Sequence, residues 1–317
     1  MSTIKRDNSH LPRPSKAGHP PSTTPILMRT VAERWFEQHM ANRVPRPRAI
    51  EELPLRASDF AIRCDRQAFY VLTQTPETDP DGPASIWRMH LGSLVHADID
   101  AAIVEMPRTA TTGWATEVDV DLRPAGFDGS AHADAVHFTN GHPDIVAEFK
   151  STPGFGFKMM ATNFKGPAEG PKFEHCLQAA VTAVALNAPT FIVGYVALEN
   201  VSPSLAKSVG ADDYGRFTAE WQFDTDEWRP VVEREAARQR RLLTAARQGA
   251  RPARTIDQPD IPAGAFIDNV ERGAWLTLNS EGSITQSGTT WYCDYCRFKT
   301  QCIDDGANAV IPDIETF

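Results

Sequence analysis

The chain has 317 residues, 41% of them hydrophobic and 23% charged, which is ample for a sizeable core. No apolar run is long enough to span a bilayer and no signal-peptide pattern opens the chain, so a soluble, cytoplasmic protein without membrane partners is expected. A net charge of −9 excludes attraction to nucleic acid over the whole surface; any such surface must be local.

Residues 1–25, rich in Pro, Ser and basic side chains, read as a disordered basic tail, and residues 26–317 as one domain. Ser58 reads as the N-cap of a helix through Phe60, Ile62, Phe69 and Tyr70. A second helix is predicted over Trp87 to Val104, with Leu91, Leu94, Val95, Ile99 and Ile103 on its buried side. Trp114 to Leu122 alternates apolar with polar, the pattern of a half-exposed strand. "GSAHADAVHF", the turn signal "TNGHP" and the apolar "DIVAEF" complete an antiparallel meander. A Gly/Pro-rich loop (153–171) leads to a helix over Phe173 to Leu186 and the apolar strand "TFIVGYVAL". Residues 200–225 read as a connection or hairpin. Asp224 and Glu227 mark the start of a helix reaching Arg247, on which Arg234, Arg238 and Arg241 fall on one face, with Arg240 and Arg247 nearby. That basic face is a candidate phosphate-binding surface. The order helix, three strands, helix, strand implies an α/β fold: a mixed central sheet flanked by helices, followed by a loop-rich region carrying clustered cysteines.

The stretch "GHPDIVAEFKST" concentrates the chemistry. Asp144 and Glu148 on one strand would have Cα atoms about 13 Å apart, too far to share one metal ion. The partner of Glu148 must come from another strand, and Asp134 on the preceding one is the best candidate. Register decides the matter. A two-residue Asn140-Gly141 turn would pair Ala133 with Glu148 and put Asp134 on the wrong face. An odd loop or a bulge pairs Asp134 with Glu148 directly, and Pro143, unable to donate to a central ladder, favours the longer loop. Glu148 and Lys150, two apart, project to the same face, where the ammonium could orient an attacking water and stabilise phosphorane charge. The Phe149 carbonyl is a further possible ligand. His96, one helical turn after Gly92, reaches the same end of the sheet and completes a candidate metal set of His96, Asp134, Glu148 and the Phe149 carbonyl.

These residues, in this order, resemble the RecB-like branch of the PD-(D/E)XK nucleases over roughly residues 55–305. The resemblance implies a restriction-endonuclease-like fold and Mg²⁺- or Mn²⁺-dependent hydrolysis of DNA, with His96, Asp134 and Glu148 as metal ligands and Lys150 as the catalytic lysine. It implies exonuclease action at duplex ends or on single strands in recombination, repair or end processing, with a helicase or recombination partner. The alternative is a non-catalytic DNA-end binding module. The family's glutamine on the next helix matches Gln178, but Thr182 stands where a tyrosine is expected four residues later.

Cys293, Cys296 and Cys302 form C-x₂-C-x₅-C, and Cys64 lies far upstream. Four thiolates could hold zinc or an iron–sulfur cluster, and spacing does not separate them. One cysteine before the nuclease core and three after it resembles the iron–sulfur subset of that family, which includes the CRISPR-associated exonuclease and the AddB nuclease domain. This implies a [4Fe–4S] cluster stapling the C-terminal region to an early helix. Cys176 reads as an ordinary buried thiol.

Overall fold

The computed structural model describes residues 27–42, 55–56, 60, 62–166, 168–252, 274–278, 284–289 and 296–305. The chain divides into two units at Arg46/Pro47. The first unit holds one helix, α1 (Leu27–Asn42), which is not among the elements expected from sequence.

The second unit runs β1 (Leu55–Arg56), α2 (Asp65–Leu72), α3 (Pro83–Val104), β2 (Gly113–Asp121), β3 (Gly129–Thr139), β4 (His142–Thr152) and α4 (Gly154–Ala161). It continues with α5 (Phe173–Leu186), β5 (Thr190–Ala197), α6 (Pro203–Ser208), β6 (Thr218–Asp224) and α7 (Thr225–Gln248). A hairpin of β7 (Ala274–Leu278) and β8 (Ile284–Thr289) and a short α8 (Lys299–Asp304) complete it. Local chemistry accounts for most boundaries. Pro83 sits in the first turn of α3, where its missing N–H costs nothing. Asn187 ends α5 in the left-handed region. The Asp224 side chain accepts the Asp226 N–H to cap α7, and Gly249 closes that helix with φ 62°. The first long-range helix begins later than expected, at Asp65 after Cys64; Ser58 lies outside the described residues. Two segments without a predicted element gain one. The 153–171 loop contains α4, anchored by the buried Phe157 and Met160, and residues 200–225 form α6 and β6.

The sheet is mixed and flanked by helices, as expected. Its strand order is β1-β3-β4-β5-β6, with β2 pairing β3 from the side. β4 and β5 run parallel, as do β1 and β3; the other pairs are antiparallel. Leu177 and Val181 of α5 pack with Val136, Val146, Phe191 and Val193, while Ile99 and Ile103 of α3 pack with Ala135 and Ala147. Neighbouring strand residues Val146 and Ala147 thus serve opposite layers. Among the described residues, no helix is long and apolar enough to cross a membrane.

One irregularity positions everything that follows. β3 pairs with β4 only from Ala135↔Ala147 outward to the turn. Beyond that point Gly129 and Ser130 of β3 pair with β1, and Glu148 to Thr152 of β4 pair with β5. The sheet forks, and Asp134 and Glu148 stand at the branch.

Candidate active site at the sheet fork

The hairpin register resolves in a way that combines both alternatives. Asn140 and Gly141, with φ of 53° and 79°, make a two-residue turn between the paired Thr139 and His142. The longer loop expected from Pro143 does not form; Pro143 pairs with Phe138 directly beside a bulge. Pairing passes from Phe138↔Pro143 to His137↔Ile145, which leaves Asp144 as the extra residue. That one-residue shift holds to Ala135↔Ala147, where the ladder ends; carried one residue further, the same register sets Asp134 opposite Glu148, which feels its charge. Asp144 itself is tied to the hairpin: Oδ1 lies 2.7 Å from His137 Nδ1, and Oδ2 accepts the Thr139 hydroxyl at 2.6 Å. Burial pushes its carboxyl up, but the Thr139 and His137 contacts outweigh this and hold it below the ordinary carboxylate value.

At the fork the ladder ends and side chains take over from backbone. Asp134 Oδ2 accepts the Phe149 N–H at 2.7 Å, a donor that an unbroken ladder would direct to β3. The other oxygen, Oδ1, lies 3.9 Å from His96 Nδ1 on α3. Glu148 is 3% exposed and accepts a hydrogen bond from Lys150 Nζ. Glu148 is pushed up to about 7, chiefly by burial; Lys150 opposes this, while the negative charges of Asp134 and, less strongly, Glu117 add to it. Glycine makes the close approach of α3 possible. A Cβ on Gly92 would lie 2.9 Å from Ser151 Oγ on β4, so the turn preceding His96 rests directly on that strand.

Two acidic residues that the motif reading passes over belong to this neighbourhood. β2 and β3 keep one register on both sides of Glu117 and Asp134, yet those two form no ladder pair, and Glu117 has φ 50°. Such a conformation is unusual for a non-glycine residue and commonly accompanies a functional site. Glu117, His96, Gly92 and Asp100 line a surface cleft of about 490 Å³. In sequence, Glu117 belongs to the solvent face of an alternating strand, and nothing there announces its backbone. Asp100 could have been found, since it follows His96 by four residues on a helix.

Behind Lys150 stands a second polar layer. Lys150 is the β5 ladder partner of Tyr195, whose hydroxyl lies 2.5 Å from His175 Nδ1 and accepts the Lys172 N–H at 3.1 Å. Burial and the charges of Lys150 and Lys172 hold the His175 imidazole well below its usual value, so it is neutral. Gln178 lies half-buried on the same α5, and buried Thr182 bonds back to the Gln178 carbonyl.

The arginine face of α7 needs correction. Arg234 and Arg241 are exposed, one heptad apart, but Arg238 is 3% exposed. Its guanidinium donates to Asp65 Oδ1 at 2.7 Å, Glu235 Oε1 at 2.9 Å and the Ile62 carbonyl at 3.0 Å. Arg63 and Gln239 also bond to Glu235. Arg238 locks α7 to α2, and no phosphate can reach it.

Three of the four clustered cysteines fall in described segments. Cys64 occupies the N-cap position of α2, Cys296 precedes α8, and buried Cys302 lies within it. Cys293 lies outside the described residues. The segment around α8 is fastened to the α2 side of the core. Phe298 packs on Tyr70 of α2, Tyr70 donates to Asp305 at 2.7 Å, and the Arg297 carbonyl accepts the Thr78 and Asp79 N–H groups. Cys176 is buried in α5, as expected of an ordinary thiol.

Comparison with known proteins adds little. No protein-family model matches the chain, and no curated protein matches it. Among solved structures it is similar to the crystal structure of SSO0001, at 16% identity over 87% of this chain and 95% of that one, with a TM-score of 0.42. It is also similar to an alkaline exonuclease (LHK-Exo) from Laribacter hongkongensis, at 15% identity over 69% of this chain and 96% of the other, with a TM-score of 0.40. The same exonuclease in complex with dAMP matches at 16% identity over 62% and 92% of the two chains, with a TM-score of 0.40. Likenesses this loose carry no functional argument.

Proposed function

We propose that this chain is a metal-dependent deoxyribonuclease of the PD-(D/E)XK type, acting as an exonuclease at DNA ends or on single strands. The observation that carries this reading is the meeting of Asp134 and Glu148 across the sheet fork, with Lys150 bonded to Glu148. Among the described residues, no group of three or more His, Cys, Asp or Glu side chains stands close enough to hold a metal ion, neither His96, Asp134 and Glu148 nor Cys64, Cys296 and Cys302. The donor chemistry nevertheless fits a hard divalent ion. Glu148 and its acidic neighbours Asp134 and Glu117 offer oxygens with one lysine to offset them, and their mutual repulsion is what an added cation relieves. His96, Asp134, Glu148 and the Phe149 carbonyl would hold Mg²⁺ or Mn²⁺. Such an ion supplies Lewis-acid stabilisation of a phosphoryl oxygen and a more acidic bound water.

The chain's own groups do the rest. Lys150 is positioned by Glu148 and stands beside the reacting phosphate, where its ammonium orients the attacking water and offsets developing negative charge. Asp134 is held by the Phe149 N–H, so its free oxygen keeps one direction. Neutral His175 and Tyr195 behind Lys150 add no competing positive charge. We further propose that Cys64, Cys293, Cys296 and Cys302 hold a [4Fe–4S] cluster. The fastening of the α8 segment to α2, which brings two of the cysteine-bearing elements side by side, supports this. The DNA strand would be met by Gln178, Arg234 and Arg241, and a helicase or recombination partner would supply the ends.

The test is cleavage of end-labelled linear DNA and of closed circles with Mg²⁺ or Mn²⁺. Degradation of linear DNA alone is expected. Asp134→Ala, Glu148→Ala and Lys150→Ala should each lower the rate by about 10²-fold or more with folding intact. A wild-type chain that binds ends but never cleaves would instead be an end-binding module.

A further inference from the structure

The segment that follows the catalytic strand exposes two large rings. Phe155 is 57% and Phe164 42% exposed, and they meet edge to face with centroids 6.2 Å apart. Two lysines are interleaved with them: Lys165 Nζ lies 5.3 Å from the Phe155 ring centroid and 5.9 Å from that of Phe164, and Lys158 Nζ lies 5.8 Å from Phe164. From Lys150 to Lys172 the chain carries four lysines and a single acidic residue, Glu169, within a protein of net charge −9.

This patch is built rather than loose. Phe157 and Met160 anchor the inner side of α4, while Phe155 and Lys158, three apart, point outward. Two glycines press the helix onto its support. A Cβ on Gly154 would lie 2.8 Å from Glu199 Cβ, and one on Gly156 would lie 2.8 Å from Thr152 Oγ1, the last residue of β4. The returning chain is bonded to α4 as well: Glu169 and Gly170 donate to the Met159 and Met160 carbonyls, while Ser208 at the end of α6 donates to Asn163 just past α4. Lys150 to Thr152 spans about 7 Å of strand, so the rings begin within a few nucleotides of the proposed scissile phosphate.

We propose that Phe155 and Phe164, with Lys158 and Lys165, form a stacking platform for unpaired nucleobases that feeds a single strand to the fork. Aromatic faces accept any base, and interleaved ammonium groups match the phosphate between bases; a duplex, whose bases are already stacked, has nothing to offer the rings. The proposal deepens the nuclease reading by naming its substrate class, and it rests on that reading only for what happens to the strand afterwards.

The experiment measures binding of the full chain, in a chelator that prevents cleavage, to a short fluorescent thymidine homopolymer and to a blunt hairpin duplex. Phe155→Ala should weaken single-strand binding about 5- to 100-fold, Phe164→Ala similarly, and Phe155→Trp should bind like the wild type; duplex binding should change little. Lys158→Gln/Lys165→Gln should lower the slope of log affinity against log salt by about 0.7 per lysine. Both rings are exposed, so folding should survive; ultraviolet crosslinking of a bromouracil strand to Phe155 or Phe164 in the unmutated chain gives a second readout. Unchanged single-strand affinity in the double alanine variant, equal losses for duplex and single strand, or rings that mediate only self-association would each overturn the platform. Platform failure with cleavage intact leaves the nuclease reading standing; ring-dependent single-strand binding without cleavage under Mg²⁺ or Mn²⁺ removes that reading and keeps the platform.

Discussion

Asp144 and Asp134 sit ten residues apart on one hairpin, and their oxygens do different work. Asp144 commits both to the bulge, through His137 and Thr139, whereas Asp134 turns one to the Phe149 N–H and leaves the other facing His96. Asp134→Ala should therefore abolish cleavage. Asp144→Ala should cost about 1–2 kcal/mol of stability and less than about tenfold in rate, because the core on both sides of β4 still holds the register. End-labelled cleavage alongside urea denaturation separates the two, and the opposite ranking would reassign the aspartate. Glu148 makes a pH prediction in chelated protein. Its folded-state value is raised to about 7, so between the ordinary carboxylate value and pH 7 the folded chain binds more protons than the unfolded one. Stability contributed by this site thus falls as pH rises through that window. Glu148→Gln, which does not ionise, should gain thermal stability over the wild type as pH goes from about 5 to 8, the gap growing with pH. A gap that is flat or reversed in thermal melts would show that Glu148 is not held in a charge-disfavouring pocket.

Elements bring these groups together by packing closeness and by a break in pairing. α3 can lie against β4 because residue 92 has no side chain to meet Ser151 Oγ. Alanine there asks only a hydroxyl to turn; valine cannot be accommodated and should push His96 away from Asp134. Gly92→Val is expected to lower cleavage at limiting Mn²⁺ by about tenfold or more, with recovery as the ion is raised. No shift in the Mn²⁺ dependence would detach His96 from the site. On α7, Arg238 seals the contact with α2 rather than facing solvent. Arg238→Ala leaves Glu235 and Asp65 short of a buried partner and should cost about 3–5 kcal/mol in urea denaturation. Arg234→Ala, being exposed, should change stability by less than about 0.5 kcal/mol and reveal any effect on DNA affinity directly. Comparable losses from both would mean that Arg234 is structural too.

Across the whole molecule, the proposed cluster would join chain segments more than two hundred residues apart in sequence. A cluster ligated by Cys64, Cys293, Cys296 and Cys302 would close that long loop on the α2 side, away from any role in hydrolysis. Anaerobically purified protein should be brown and carry about four irons per chain. Cys64→Ser should bleach it and loosen the α8 segment, seen as protease cleavage between β8 and α8. A colourless protein with one zinc per chain would replace the iron–sulfur assignment. The fork sits on the same body and gathers its residues from α3, β2, β3 and β4, so loss of the staple should lower stability first and activity second.

Much of this was legible in the residues alone, where periodicity and chemistry are local. The alternation of β2, the inward Ile99 and Ile103 of α3, the Asp-capped start of α7 and the Glu148-x-Lys150 pair all follow from side-chain spacing on one element. So did the rejection of Asp144 as the partner of Glu148, since strand rise is a constant. Leu94, expected on the buried side of α3, is instead 51% exposed, because among the described residues no element covers that part of the helix. The alignment of Asp134 with Glu148 was not local. Asn140-Gly141 specified a two-residue turn, and only the bulge at Asp144, held by contacts across the hairpin, restored the face. Arg238 was misjudged, and the neighbourhood of Glu117 passed over, for the same cause: helical and strand periods say which residues share a face, but not which faces another element will cover. That decision belongs to tertiary packing, where α2 buries an arginine and the forked sheet turns an exposed glutamate toward the site.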